Sequence, residues 1–151
     1  MIWKPHVTVA AVAEHPKKTG YFLFVEENID RQWVINQPAG HLDANETLLQ
    51  AVVRETLEET AWDFVPEAIV GIYQWHNPQY NNHTMIRIAY CGRAIQEHFT
   101  RKLDDGIRQA FWLNREELMQ SRLRSPMVLA TLDDYLAGKR YPLELVHDLL
   151  N

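Results

Sequence analysis

The chain has 151 residues, 46% hydrophobic and 11% aromatic, which is about one domain's length and too apolar for a disordered segment. Its net charge of -5 excludes a general binder of nucleic acid backbones, which needs a basic face to displace counterions. The lone cysteine, Cys91, cannot form an internal disulfide; the opening MIWKPHVTVAAV lacks a signal-peptide pattern, and no apolar run approaches the roughly 20 residues of a membrane span. The expectation is a soluble cytoplasmic protein, residues 1–151 forming a single domain and a monomer, with no nucleic acid polymer or membrane as partner.

In chain order, residues 6–13 (HVTVAAVA) and 21–26 (YFLFVE) are rich in β-branched and aromatic residues and read as paired strands, with PKKTG as the turn between them. A short extended piece, 33–38, leads into Ala39-Gly40, and 43–60 reads as a helix whose Asp43 and Glu46 have the spacing of a capping box. Residues 68–74 and 85–90 are strand-like runs around the polar loop HNPQYNNH, and 107–113 is a further strand. Asn114 caps a short helix, and Pro126 opens a last helix running to about Ala137. Strands interleaved with two or three helices predict a mixed sheet packed between helices.

On the 43–60 helix, at about 100° per residue, Leu48, Leu49, Val52, Val53, Thr56 and Leu57 fill one broad side that faces the core. Glu55, Glu58 and Glu59 fall together beside it. If exposed, such like charges cost only about 0.2 to 0.5 kcal/mol per pair and form an ordinary solvated face. If partly buried, repulsion at 4 Å rises to roughly 4 kcal/mol at an effective dielectric of 20, and a cation is needed. Clustered oxygen ligands suit Mg²⁺ or Mn²⁺.

The wider spacing narrows the choice. Gly40, five residues, Glu46, seven residues and then Arg54-Glu55-Thr56-Leu57-Glu58-Glu59 is a pattern that chance produces on the order of once in ten million registers. It resembles the signature of the Nudix hydrolases, with Ala61 where the family pattern has glycine. The opening KPHVTVA, the segment WVINQPAGHLDANETL, the pair Gln74-Trp75 and the C-terminal LRSPMVLATLDDYLAGKRYPLELV extend the resemblance, to a bacterial phosphatase group within the family.

The resemblance implies a Nudix fold, an α/β/α sandwich of mixed β-sheet between helices. It also implies metal-dependent hydrolysis of phosphoanhydride bonds in small phosphorylated substrates: nucleoside tri- and diphosphates and thiamine-related diphosphates. Alternatives are dinucleoside polyphosphates or ADP-ribose as substrates, or a Nudix-fold binding module without catalysis. The resemblance assigns metal binding, by Mg²⁺ or alternatively Mn²⁺, to Gly40, Glu55, Glu58 and Glu59. Glu58 or Glu55 accepts the proton of the attacking water, Arg54 orients Glu58 from the i+4 position, and Glu46 sits in the first helical turn, where its charge favours the helix dipole.

Outside the signature, Asp104 or Asp105 supplies a further carboxylate or belongs to a plain acidic turn. Arg87 meets a phosphate or is a surface cation. Trp75, with His76, stacks on a base or pyrimidine ring, or Trp75 is core. Gln37 reads a ring edge or closes its loop. Arg124 and Tyr141 are expected to pack, Cys91 to be a small buried residue, and the histidines have no zinc spacing. Pro78 and Tyr80 fall where other members of the family carry specificity residues for ADP-ribose and dinucleoside polyphosphates.

Overall fold

The alternating strand and helix signals become seven strands, three α-helices and a short 3-10 helix (Leu143–Leu145) among residues 2–150, which the computed structural model describes. Strand β1 (His6–Ala13) lies inside a mixed four-stranded sheet, parallel to β6 (His83–Glu97) and antiparallel to β4 (Ala39–His41), with β5 (Trp62–Asn77) beyond β6. A second, antiparallel sheet has the order β3 (Gln32–Asn36), β2 (Tyr21–Ile29), β7 (Ile107–Asn114). The helices are α1 (Leu48–Thr60), α2 (Arg115–Met119) and α3 (Pro126–Leu136).

The run HVTVAAVA is apolar on both faces because β1 is covered on both. Val9, Ala11 and Ala13 pack with Ala51 and Val52 of α1, whereas Ala10 and Val12 share a second cluster with Leu118 of α2 and Val128 and Leu132 of α3. Alternation along the strand thus sends successive side chains into two cores, which makes the expected α/β/α sandwich. Full burial of each Val or Leu is worth about 1.5 to 3 kcal/mol. Among the described residues, no helix is long and apolar enough to cross a membrane.

Strands β5 and β6 outrun the predicted 68–74 and 85–90, pairing from Trp62 with Glu97 to Asn77 with His83. Register irregularities at Asp63/Phe64, Pro66/Ala68 and Ile69/Gly71 interrupt the period of two by which a strand is read. Cross-strand pairing carries the polar ends.

The helix start also differs from expectation. Asn45 has φ 61, which breaks a helix beginning at Asp43. The Asp43 N–H does donate to Glu46 Oε1 at 3.0 Å, but this closes a turn. The cap is Thr47, whose hydroxyl accepts from the Gln50 N–H while Gln50 Oε1 accepts from the Thr47 N–H, a capping box one turn later. The buried stripe of α1 is Ala51, Val52, Glu55, Thr56, Glu59 and Thr60, and Leu49 is 38% exposed. The core-facing side is therefore rotated from the predicted one, onto two of the glutamates.

At the other end, Ala61 takes the left-handed conformation (φ 64, ψ 17) and its N–H bonds the Leu57 carbonyl. The helix stops at Thr60 instead of running on through Trp62. This conformation costs an L-residue about 1 to 2 kcal/mol. Glycine relieves that cost, but loses about 0.8 kcal/mol for the buried methyl and about 0.5 to 1 in chain entropy. Chemical denaturation should therefore place Ala61→Gly within about 1 kcal/mol of the parent, whereas Ala61→Val, β-branched at positive φ, should fall at least about 2 kcal/mol below it.

Candidate active site

Between the two sheets opens a cleft of about 370 Å³. One wall carries Ala39 and Gly40 of β4 with Glu55 and Glu59 of α1. The other carries Glu27 of β2, Trp75 of β5, Met85 and Arg87 of β6, and the approach to α3 at Arg124 and Ser125.

The glutamates of α1 divide by face. Glu55 and Glu59, four residues apart, lie on the core stripe at 9% and 8% exposure. Glu58 lies on the outer face beside Arg54. Glu55, Glu58 and Asp104 each place a carboxylate oxygen within 4.8 Å of the others, so Asp104 joins the cluster. Asp105 stays outside, exposed and 3.9 Å from Lys102 Nζ. The Asp104 N–H bonds the Glu58 carbonyl, which fixes the loop before β7 against α1.

Glu59 stands apart from that trio, and its Oε1 accepts from the Ala39 N–H at 2.9 Å. Burial pushes Glu59 up to about 9, the Ala39 N–H opposing and the charges of Glu27, Glu55 and Asp104 adding to the rise. Glu55 is also raised, by burial above all, against the opposing bond and charge of Arg54. Partial desolvation and then Glu58 raise Asp104.

Arg54 is the positive centre of this arrangement. Its Nε donates to Glu46 Oε2 at 2.6 Å, its NH1 to Glu55 at 2.8 Å and to Glu58 at 3.3 Å, and its NH2 to Glu46 and the His41 carbonyl. Glu46 first, then Glu55 and Glu58, hold the guanidinium in its charged form. Glu46 precedes the Thr47 cap, so the expected place in the first helical turn is corrected. It grips Arg54, and that bond draws its carboxyl below the usual range.

A Cβ at Gly40 would overlap the Glu55 carboxyl group, which would have to move from its place beside Arg54. Arg87, expected at a phosphate or on the surface, is 2% exposed. Its NH1 donates to Gln37 Oε1 and its NH2 to Asn36 Oδ1, both at 2.8 Å. Burial lowers it to about 10. Gln37 is 1% exposed and donates its other amide end to the Val128 carbonyl, so it braces Arg87 behind the cleft and has no free edge for a ring. Trp75 does line the cleft, half-buried, while His76 is exposed.

Arg124 reaches the cleft as well, with its Nε 3.7 Å from Glu27 Oε1. Tyr141, expected to pack, pairs its backbone with Ile69 but leaves its side chain 45% exposed, and Cys91 is buried as expected. Glu27 and Asn36 are not marked in the sequence: an isolated polar pair on two strands carries no spacing signal, and only the pairing of β2 with β3 brings them together.

A family model described as NUDIX domain matches residues 4–131. The chain is 40% identical over 148 residues to Phosphatase NudJ of Escherichia coli strain K12, covering 97% of this chain and 94% of that protein. A NUDIX hydrolase structure from Nitrosomonas europaea superposes with a TM-score of 0.91 at 41% identity, covering 96% of this chain and 97% of that one. The MutT protein of Methanosarcina mazei Go1 shares the fold, with a TM-score of 0.72 at 21% identity over 93% of this chain and 100% of that one.

The contact between Gly40 and Glu55 is open to a double-mutant cycle. Gly40→Ala should cost about 1 to 3 kcal/mol in urea denaturation, as overpacking does. In a Glu55→Ala background the same methyl meets open space and should cost less than half as much.

Proposed function

We propose, for a chain that belongs to the Nudix hydrolase family, metal-dependent hydrolysis of phosphoanhydride bonds in nucleoside tri- and diphosphates and thiamine-related diphosphates. The chain is a phosphohydrolase of that family; the substrate class, the metal and the residue roles are the proposal. The observation that carries it is the convergence of Glu55, Glu58 and Asp104 oxygens within 4.8 Å of one another, beside a cleft large enough for a phosphorylated ring compound. The 40% likeness to Phosphatase NudJ supports the same class of reaction.

The donor set fits a hard divalent cation. It offers carboxylate oxygens without thiolate or imidazole in the trio, which favours Mg²⁺ or Mn²⁺ over zinc. Glu55, Glu58 and Glu59 would hold the ion with the Gly40 carbonyl, and Asp104 stands ready beside them. Such an ion offsets charge developing on phosphate oxygens and acidifies water.

The chain's own groups do the rest. Arg54 fixes the carboxyl groups of Glu55 and Glu58 from one side, bonding one oxygen of Glu55 and both of Glu58. Glu58 or Glu55 takes the proton from the attacking water. Glu59, deep in the wall, is oriented by the Ala39 N–H, so the loop of β4 and the helix α1 present their groups as one rigid unit. Trp75 offers an aromatic face to the substrate's ring. We further propose that residues 1–151 act as one monomeric domain in the cytoplasm on small phosphorylated molecules.

Release of phosphate or pyrophosphate from a substrate panel should require Mg²⁺ or Mn²⁺ and stop on chelation. Glu58→Gln and Glu59→Gln should each keep the parent's circular dichroism and lose at least about 100-fold in turnover, in the range of general acid–base and electrostatic contributions. Near-native turnover in both variants would sink the assignment.

A further inference from the structure

Four carboxylates line the cleft, and two of them, Asp43 and Glu27, have no part in the chemistry above. Glu55 and Glu59 belong to α1, and Asp43 is exposed and 3.3 Å from Arg54. Glu27 stands across the cleft on β2. A β-bulge separates it from its neighbour: Glu26 pairs with Gln109 and Glu27 with Ile107, skipping Arg108. The extra residue belongs to β7, and β2 keeps its alternation, which sends Glu26 and Glu27 to opposite faces. Here Glu26 is held outside by Arg108 and Gln109, and Glu27 is delivered to the cleft with its side chain only 16% exposed.

Its two oxygens are not equivalent. Asn36 Nδ2 donates to Oε1 at 3.3 Å, and Arg124 Nε lies 3.7 Å from the same oxygen. Among the described residues nothing bonds Oε2, and that oxygen is not among the sealed, partnerless atoms of the interior; it is open to the cleft.

The polarity of this arrangement is forced. A guanidinium only donates, so Arg87 compels both amides that flank it to turn their oxygens inward. Gln37 and Asn36 do so at 2.8 Å. Asn36 must then aim its Nδ2, a donor, at Glu27. Donation runs outward from Arg87 in two branches, through Gln37 to the Val128 carbonyl and through Asn36 to Glu27, and the second branch ends on an acceptor facing the ligand space that Trp75 shares.

We propose that Glu27 Oε2 accepts a hydrogen bond from an exocyclic amino group on the substrate's heteroaromatic ring, so that the cleft selects amino-substituted over oxo-substituted rings. The inference rests on the phosphohydrolase reading for its substrate class. A ring stacked on Trp75 occupies the cleft that Glu27 also lines, and its edge is the part that can meet the carboxylate. An oxo group there sets lone pair against lone pair and leaves a desolvated carboxylate unsatisfied, whereas an amino group completes it.

The decisive variant is Glu27→Gln. Asn36 can only donate to it, so the amide must turn its oxygen to Asn36 and its NH₂ to the cleft. The preference should invert. With cytidine and uridine triphosphates as the amino and oxo pair, the parent should favour the cytidine compound at least ten-fold in kcat/KM. Glu27→Gln should favour the uridine compound, and Glu27→Ala should be nearly indifferent. Equal losses on both substrates with an unchanged ratio would mark Glu27 as a structural counter-charge and overturn the proposal, as would a parent that turns over both substrates alike. If the parent hydrolyses neither compound in Mg²⁺, the nucleoside triphosphate part of the functional reading fails on its own. Tryptophan fluorescence titrations with cytidine and uridine then decide the inference separately, a retained and inverted preference upholding it and an equal affinity overturning it.

Discussion

Arg54 bonds three carboxyl groups at once, and the seating of α1 against the sheet depends on it. The helix turns two of its glutamates into the buried stripe, where an ionised carboxylate costs several kcal/mol unless it is paired. Arg54 brings positive charge to Glu55 from the helix, and Glu46 and the His41 carbonyl tie the guanidinium back to the β4 loop. Gly40 supplies the space and Ala39 the N–H that receives Glu59. The signature residues are thus mutually dependent: remove the glycine and the Glu55 carboxyl has no seat, remove the arginine and three carboxylates lose their shared partner.

The opposite wall is organised around a second arginine with different chemistry. Arg87 is buried without a direct carboxylate partner, its Nε has no partner among the described residues, and two neutral amides and the Thr131 hydroxyl bind the rest of the guanidinium. Such a cation is expensive to bury. Its effect is directional, since it fixes which way two amides point and therefore what the wall offers to a ligand. One wall concentrates negative charge around Arg54, and the other transmits orientation outward from Arg87. The cleft between them separates the phosphate end of a substrate from its ring end.

Much of the first wall was legible because its residues sit close in sequence. Helical spacing brings Arg54, Glu55, Glu58 and Glu59 together, and the interval back to Gly40 is a fixed loop. What spacing could not give was the rotation of the helix. Leu49 is an apolar residue left 38% exposed, while Glu55 and Glu59 are buried because β4 supplies a donor and a gap that only the folded sheet provides. The helix start was misplaced for a local reason: Asp43 and Glu46 have capping chemistry, but Asn45 adopts positive φ and the second capping box at Thr47 takes over. The second wall was hardly legible. Glu27, Asn36 and Arg87 come from three strands in two sheets, and only the pairing of β2 with β3 and the packing of the sheets bring them together.

Alanine at the position where the family signature has glycine is explained by what surrounds the end of α1. Ala61 donates its N–H to Leu57 and accepts at its carbonyl from the His98 N–H, so the residues beyond β6 hold the left-handed turn from outside. The same loop runs on to Asp104, whose N–H bonds the Glu58 carbonyl. Thr60 contributes its hydroxyl to the Trp62 N–H, which starts β5 directly after the turn. A strain of about 1 to 2 kcal/mol is thus spread over a junction where helix, strand and loop are already bonded to one another. Because that junction also brings Asp104 to Glu55 and Glu58, the departure from glycine leaves the carboxylate cluster intact while tying its geometry to the loop between β6 and β7.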